Sequence, residues 1–213
     1  MLKFKNWKRE FISIVTSVFI SSSIFYGFFI FQKEEIAAES NLEKFQALSK
    51  LTDVSNNIEK EIQSSIVYTD FFSIIISHNP DIKPELLEMY ASLALQYNKN
   101  IKSIQLAPNA IIKIVYPRTG NEAAIGHDLL GDPARAFFTQ KAIEKRTVVL
   151  QGPVLAIQGG FLLFNRKAIY IEKDQGEEFW GLAVVAIDFD KLIEKYQTSL
   201  NDANYLFALR SNN

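Results

Sequence analysis

Cysteine is absent from all 213 residues. Without a thiol the chain has no disulfide scaffold, thiolate zinc site, iron–sulfur cluster or cysteine nucleophile. Histidine is nearly absent too. His78 and His127 stand far apart, which argues against a histidine-rich metal site. Charge of one sign is also lacking: 23 basic and 24 acidic residues leave a formal net of −1, so nothing asks for nucleic acid as a partner. No repeat or low-complexity tract is visible. Gln158-Gly159-Gly160 lacks the Gly-Lys-Ser/Thr of a phosphate-binding loop, and neither histidine accompanies a Gly-x-Ser-x-Gly elbow. Asp188 and Asp190 lie two apart where a strand meets a helix, which suits capping better than acid–base work. No enzyme signature and no cofactor requirement emerges. The 48% hydrophobic and 22% charged content rules out a disordered chain, and the length allows one domain with accessories.

What is present is unevenly placed. From Phe11 to Gln32 there is no charged residue, and Ile, Val and Phe dominate. About twenty such residues, at ~1.5 Å rise each, cross a hydrocarbon core of roughly 30 Å. Ser13, Thr16, Ser17 and Ser21 to Ser23 are tolerated because hydroxyls bond back to helix carbonyls. Lys3, Lys5, Lys8 and Arg9 precede the run against the single acid Glu10, so the positive-inside rule keeps the N-terminus in the cytoplasm. A cleaved signal peptide, with Ala37 and Ala38 at the cleavage site, is the rival reading; the run is longer than a signal's apolar region, which favours an uncleaved anchor. Four of the basic residues and one acid lie before Lys33, so residues 33–213 carry a net of −4. They read as a soluble body on a tether in the inner membrane, facing the periplasm.

Residues 33–66 lack Pro and Gly and predict a stalk helix. Phe45, Leu48, Leu51, Val54, Ile58, Ile62 and Ile66 recur at spacings of three and four as one apolar stripe. That stripe packs on its own domain, or meets its copy in a homodimer, or does each over different turns. The helix continues through Val67–Ser77 and stops at His78-Asn79-Pro80. A second helix runs from Pro84 to about Asn98. Strands are predicted at Ile101–Leu106 and Ala110–Tyr116, a helix from about Asp132 to Lys145, and strands at Thr147–Gln151, Phe161–Glu172 and Phe179–Phe189. The turn-rich Lys173-Asp174-Gln175-Gly176 joins the last two. A helix over Leu192–Leu200 and a strand at Tyr205–Leu209 follow. This order predicts an α+β fold: a small antiparallel sheet with helices on one face, of the PAS or Cache kind. The expected divisions are a cytoplasmic N-terminus (1–10), a transmembrane helix (11–32), the stalk (33–66), a sensory domain (67–200) and the start of a continuation (201–213).

Between Ile125 and Asp190 stand IGHDLLGDPARAFF, LQGPVLAIQGG, an arginine with a downstream tyrosine in FNRKAIYI, and FWGLAVVAIDFDKL. Together, in that order, these resemble the CHASE domain over roughly residues 70 to 200. The family usually has a proline two residues before that tyrosine, where Ala168 stands here. The resemblance implies an extracytoplasmic sensory domain of the type found on sensor histidine kinases, diguanylate cyclases and cyclic-di-GMP phosphodiesterases. It also implies a second transmembrane helix and a cytoplasmic output domain outside this sequence, so a truncated reading of a longer receptor is expected rather than a sensor-only relic.

By position, Asp128 best matches the aspartate that binds ligand in the plant cytokinin receptors of this family; the alternative is a loop or helix cap. Arg166 lies in an otherwise apolar strand, where its guanidinium must find water, an acid or an anionic ligand. Arg135 is expected to pair with Asp128 or Asp132. His127, Tyr170 and Trp180 complete the candidate ligand-binding set. Asp128 and Arg166 are expected to line one pocket. The function this points to is membrane-anchored sensing of a small molecule. An extracytoplasmic enzyme and a structural or protein-binding module are the rival classes, the second favoured if the pocket is filled by its own side chains.

Overall fold

The computed structural model describes residues 3–201, with side chains from Trp7 to Gln197; the strand expected at Tyr205–Leu209 lies outside them. Helix α1 (Lys3–His78) is followed by α2 (Pro84–Tyr97), β1 (Ile101–Pro108), β2 (Ile114–Tyr116), α3 (Pro133–Lys145), β3 (Val149–Leu155), β4 (Phe161–Lys173), β5 (Gly176–Asp188) and α4 (Phe189–Asn201). The chain divides into two compact units between Thr52 and Asp53.

The first unit is helical throughout its described residues. It holds the one described segment long and apolar enough to cross a membrane, and its large apolar side chains from Phe11 to Phe31 are exposed. Phe45, Leu48 and Leu51 are exposed as well, at 70%, 63% and 50%.

The second unit is a five-stranded antiparallel sheet in the order β2-β1-β5-β4-β3. Its middle strand β5 reads LAVVAI and is buried on both faces, as an interior strand must be. β4 and β5 form a long hairpin in which Lys173 pairs with Gly176 across a two-residue turn, as the turn residues predict. Gly181 sits at φ +154°, and a Cβ there would collide with the Ala107 carbonyl of the neighbouring strand, so only glycine lets β5 and β1 close up at this point.

Strand alternation splits the packing into layers. On one face Leu182, Val184, Ala186, Leu162 and Phe164 meet Ala142 of α3 and the segment from Ile112 to Leu129. On the other, Ile104, Leu106, Ala183, Val185 and Ile169 meet Phe72 and Ile76 of α1 and Leu87, Ala91 and Ala94 of α2. A third cluster joins Leu163, Ile187 and Leu192 with Ile58 and Ile62. The helices therefore flank both faces, which corrects the expectation of one. Val54, Ile58 and Ile62 of the stripe pack into this unit, while past them the buried face of α1 is Ser65, Thr69, Phe72 and Ile76 rather than Ile66. Ser65 replaces Ile66 because its hydroxyl answers a polar group on the sheet: Asn165 Nδ2 donates to Ser65 Oγ at 2.6 Å.

The strand expected over Ala110–Tyr116 is real only from Ile114. Asn109 and Ala110 adopt positive φ (52° and 63°) and turn the chain off the sheet. Residues 110–112 then pair with the segment before α3: Ile112 N donates to His127 O, Gly126 N to Ile112 O, and Leu129 N to Ala110 O. That pairing fixes the backbone around His127.

Candidate functional site

Gln105 on β1, Val184 on β5 and Arg166 on β4 are register partners in a row across the sheet, on the face toward α3. Over this row lies a small cavity, about 20 Å³ measured as room for the centre of a water molecule. A volume of that order holds roughly one water-sized group. Its walls are Ile112, Ala124, Leu129, Phe164 and Val184; its polar lining is Gln105, His127, Arg135, Gln158 and Arg166.

Arg166 is 1% exposed, yet its Nε and Nη1 have no hydrogen-bond partner among the described residues. Its guanidinium carbon stands 5.0 Å from the Phe164 ring centroid, a favourable but weak compensation. Burial, and next the nearby Arg135, lower its pKa from the usual guanidinium range to about 9, against which Asp132 raises it; it remains cationic at neutral pH. Gln158 Nε2 and His127 Nε2 are likewise buried without a hydrogen-bond partner.

Asp132 organises the rest. It caps α3, its Oδ1 accepting from Ala134 N at 2.8 Å with Pro133 opening the helix. Its Oδ2 lies 3.0 Å from His127 Nε2 and 4.0 Å from Arg135 Nε. The His127 contact has the distance of an ion pair but not the angles of a hydrogen bond. Arg135 Nη2 donates to Leu155 O at 3.0 Å and so ties α3 to β3. The imidazole set aside, two guanidiniums face one carboxylate. The cavity wall thus carries one positive charge in excess.

Of the residues singled out from sequence, His127 and Arg166 meet at this cavity and the other three do not. Asp128 is exposed, and its Oδ1 accepts from Leu130 N at 3.0 Å and Gly131 N at 2.9 Å. The carboxylate is held by its own loop, so the expectation that Asp128 and Arg166 line one pocket is corrected. Tyr170 donates its hydroxyl to Ile143 O at 2.9 Å and stacks under Arg146, away from the cavity lining. Trp180 packs in the α1–α2 layer, across the sheet. Arg135 pairs with Asp132, one of its two expected partners. Gln105 and Gln158 were missed. Gln105 sits at the inward position of a strand, two residues after the equally buried Ser103, and that polar alternation inside an apolar strand was the available signal.

A larger cleft of about 630 Å³ opens between α1, α4 and the start of β1. Some of its charged groups are tied internally: Lys195 Nζ is 2.5 Å from Glu61 Oε1, Asn100 Nδ2 donates to Glu61 Oε2, and Lys191 donates to Lys99 O. None of its side chains is among the described buried groups that lack a hydrogen-bond partner, whereas His127, Gln158 and Arg166 of the small cavity are.

The sequence matches the family described as the CHASE domain over residues 35–211, so the match takes in the helix well ahead of residue 70. No curated protein matches the chain. Several solved structures share the fold. An extracellular ligand binding receptor from Desulfohalobium retbaense is 16% identical with a TM-score of 0.52, over 70% of this chain and 27% of its own. The ligand binding domain of the Pseudomonas aeruginosa amino acid chemoreceptor PctC, solved with GABA, is 11% identical with a TM-score of 0.52, over 66% and 61%. The sensory domain of the Campylobacter jejuni chemoreceptor Tlp3 is 16% identical with a TM-score of 0.50, over 68% and 60%. This chain spans less than two thirds of each, and at such identities the likeness is one of fold.

Proposed function

The chain belongs to the CHASE domain family, and from that premise we propose that it is the ligand-sensing part of a membrane-anchored receptor whose output domain is not among these 213 residues. Phe11–Phe31 crosses the inner membrane once, residues 1–10 stay in the cytoplasm, and the sheet unit lies in the periplasm. The charge asymmetry around the apolar run supports this orientation.

The observation that carries the reading is the buried, unpartnered Arg166. A module that only filled space or bound protein at its surface has no use for a buried cation whose opposing acid, Asp132, is shared with a second arginine, because burying it costs several kcal/mol. A site that receives a ligand does.

β4 supplies the route from that site to the helix. Arg166 points to the cavity, and the residues on either side of it point to α1. Asn165 donates to Ser65, and Lys167 Nζ lies 2.6 Å from Asp70 Oδ1. A ligand that draws on Arg166 moves a strand whose two adjacent residues grip α1, and α1 continues toward the membrane by its own hydrogen bonds. Phe45, Leu48 and Leu51, exposed on that helix, meet their copies in a homodimer.

A thermal-unfolding screen of the full chain in detergent micelles, against small anionic, neutral and cationic metabolites, tests the reading. At least one compound is expected to raise the unfolding temperature saturably in the parent and not in Arg166→Gln. If no compound of any charge class does so, the sensing role is wrong.

A further inference from the structure

We propose that the ligand of the cavity over Arg166 is a monocarboxylate, whose carboxylate lies between Arg166, Arg135 and Gln158 and whose carbon end leaves past Ile157. This deepens the sensing role proposed above and rests on it.

Three observations converge on that class. The first is the kind of polar group left unmet. Arg166 Nε and Nη1 and Gln158 Nε2 are all donors, and His127 Nε2 can be one. A complementary ligand brings acceptors, and more than one. A cationic or donor-rich ligand would add to the unmet donors.

The second is charge. Arg166 and Arg135 are opposed by Asp132 alone, leaving one positive charge in excess. A water molecule can accept a hydrogen bond from Arg166 but leaves that charge standing; a monoanion removes it. The depressed pKa of the guanidinium, caused first by burial, expresses the same deficit.

The third is size and wall chemistry. About 20 Å³ admits little more than one water-sized group, the space of a carboxylate oxygen, and not a whole metabolite. Ile112, Leu129 and Val184 suit carbon beside the charge and not a heavily hydrated tetrahedral dianion. The rest of the ligand must exit, and Ile157, which lines the cavity while half exposed, marks where. It belongs to the turn between β3 and β4, where Gly159 and Gly160 take positive φ of 87° and 77°.

The test uses the full chain in micelles, with formate, acetate and propionate as probes at constant ionic strength, acetamide as the neutral counterpart of acetate, and chloride and inorganic phosphate as other anions. Expected are a saturable rise in unfolding temperature with at least one carboxylate, and none with acetamide. Arg166→Gln, which keeps donors but loses the charge, is expected to weaken carboxylate binding about tenfold or more. Gln158→Ala, on a surface turn where folding is not at stake, is expected to weaken it by about threefold or more. Acetamide acting as well as acetate, chloride or phosphate acting as well as any carboxylate, or Gln158→Ala and Arg166→Gln both binding like the parent, overturns the monocarboxylate. If instead a neutral or cationic metabolite binds in an Arg166-dependent way, the sensing role stands and this inference falls. If nothing binds, both fall.

Discussion

Arg166 and Asp128 make opposite contributions. Arg166 is a buried cation without a hydrogen-bonded partner, so its removal relieves the ligand-free fold. Arg166→Met, which keeps the length and drops the charge, is expected to raise the unfolding temperature of ligand-free protein by roughly 2–10 °C, from about 1–3 kcal/mol. The same variant carries the pH prediction. The folded pKa of Arg166, about 9, lies well below that of a solvated guanidinium in the unfolded chain, so above pH 9 the unfolded chain binds the extra proton. The parent's deficit is therefore fully present below pH 9 and shrinks as pH rises above it. Parallel melts at pH 7 to 11 should show the gap between parent and Arg166→Met narrowing toward pH 11; a constant gap would refute the assignment. Asp128→Ala, by contrast, is expected to cost about 1–2 kcal/mol by freeing the amides of Leu130 and Gly131, with carboxylate binding unchanged. Arg166 stood out in the sequence because its residue type is out of place in an apolar strand, and His127 only because it is the histidine of the GHDLLGDP segment. For Asp128 the sequence offered both a ligand contact and a loop cap, and nothing in GHDLLGDP decides that the amides of Leu130 and Gly131 capture the carboxylate.

At the scale of elements, the punctuation residues were the readable part. His78-Asn79-Pro80 ends α1, Pro84 and Pro133 open α2 and α3, and Asp174-Gln175 turns the long hairpin. What escaped was Asn109-Ala110, whose positive φ values send 110–112 to pair with the His127 segment instead of the sheet; alanine gives no hint of such a backbone. The polar face of α1 escaped as well, because Ser65 is chosen by Asn165, a hundred residues away. That hydrogen bond makes a prediction for β4 and α1. Ligand is expected to slow amide exchange over residues 62–72, and Asn165→Ala to abolish that slowing while Arg166-dependent binding persists. Loss of both together would mean that Asn165 serves the site and not the coupling. The apolar stripe makes another. Single cysteines at Phe45, Leu48 and Leu51 should crosslink in membranes, and those at Ile58 and Ile62 should not, because these two are occupied in their own domain. Equal crosslinking at all five positions would remove the homodimer.

For the molecule as a whole, topology is the first thing to establish. A phosphatase active only in the periplasm, fused after Asn213, should be active; activity of a cytoplasm-only reporter at the same point would reverse the orientation. Arg166 then has a consequence beyond binding. A fold that carries an uncompensated internal charge until an anion neutralises it is a fold whose lifetime depends on the supply of that anion. A ligand present at a hundredfold over its Kd adds about 2.7 kcal/mol to the stability of the native state. Should the sheet unit lie in the periplasm as proposed, envelope proteases would degrade the opened chain, and shifts of that size change steady-state abundance several-fold. Cells starved of the ligand would then clear the receptor, and cells supplied with it would accumulate the receptor without any change in transcription.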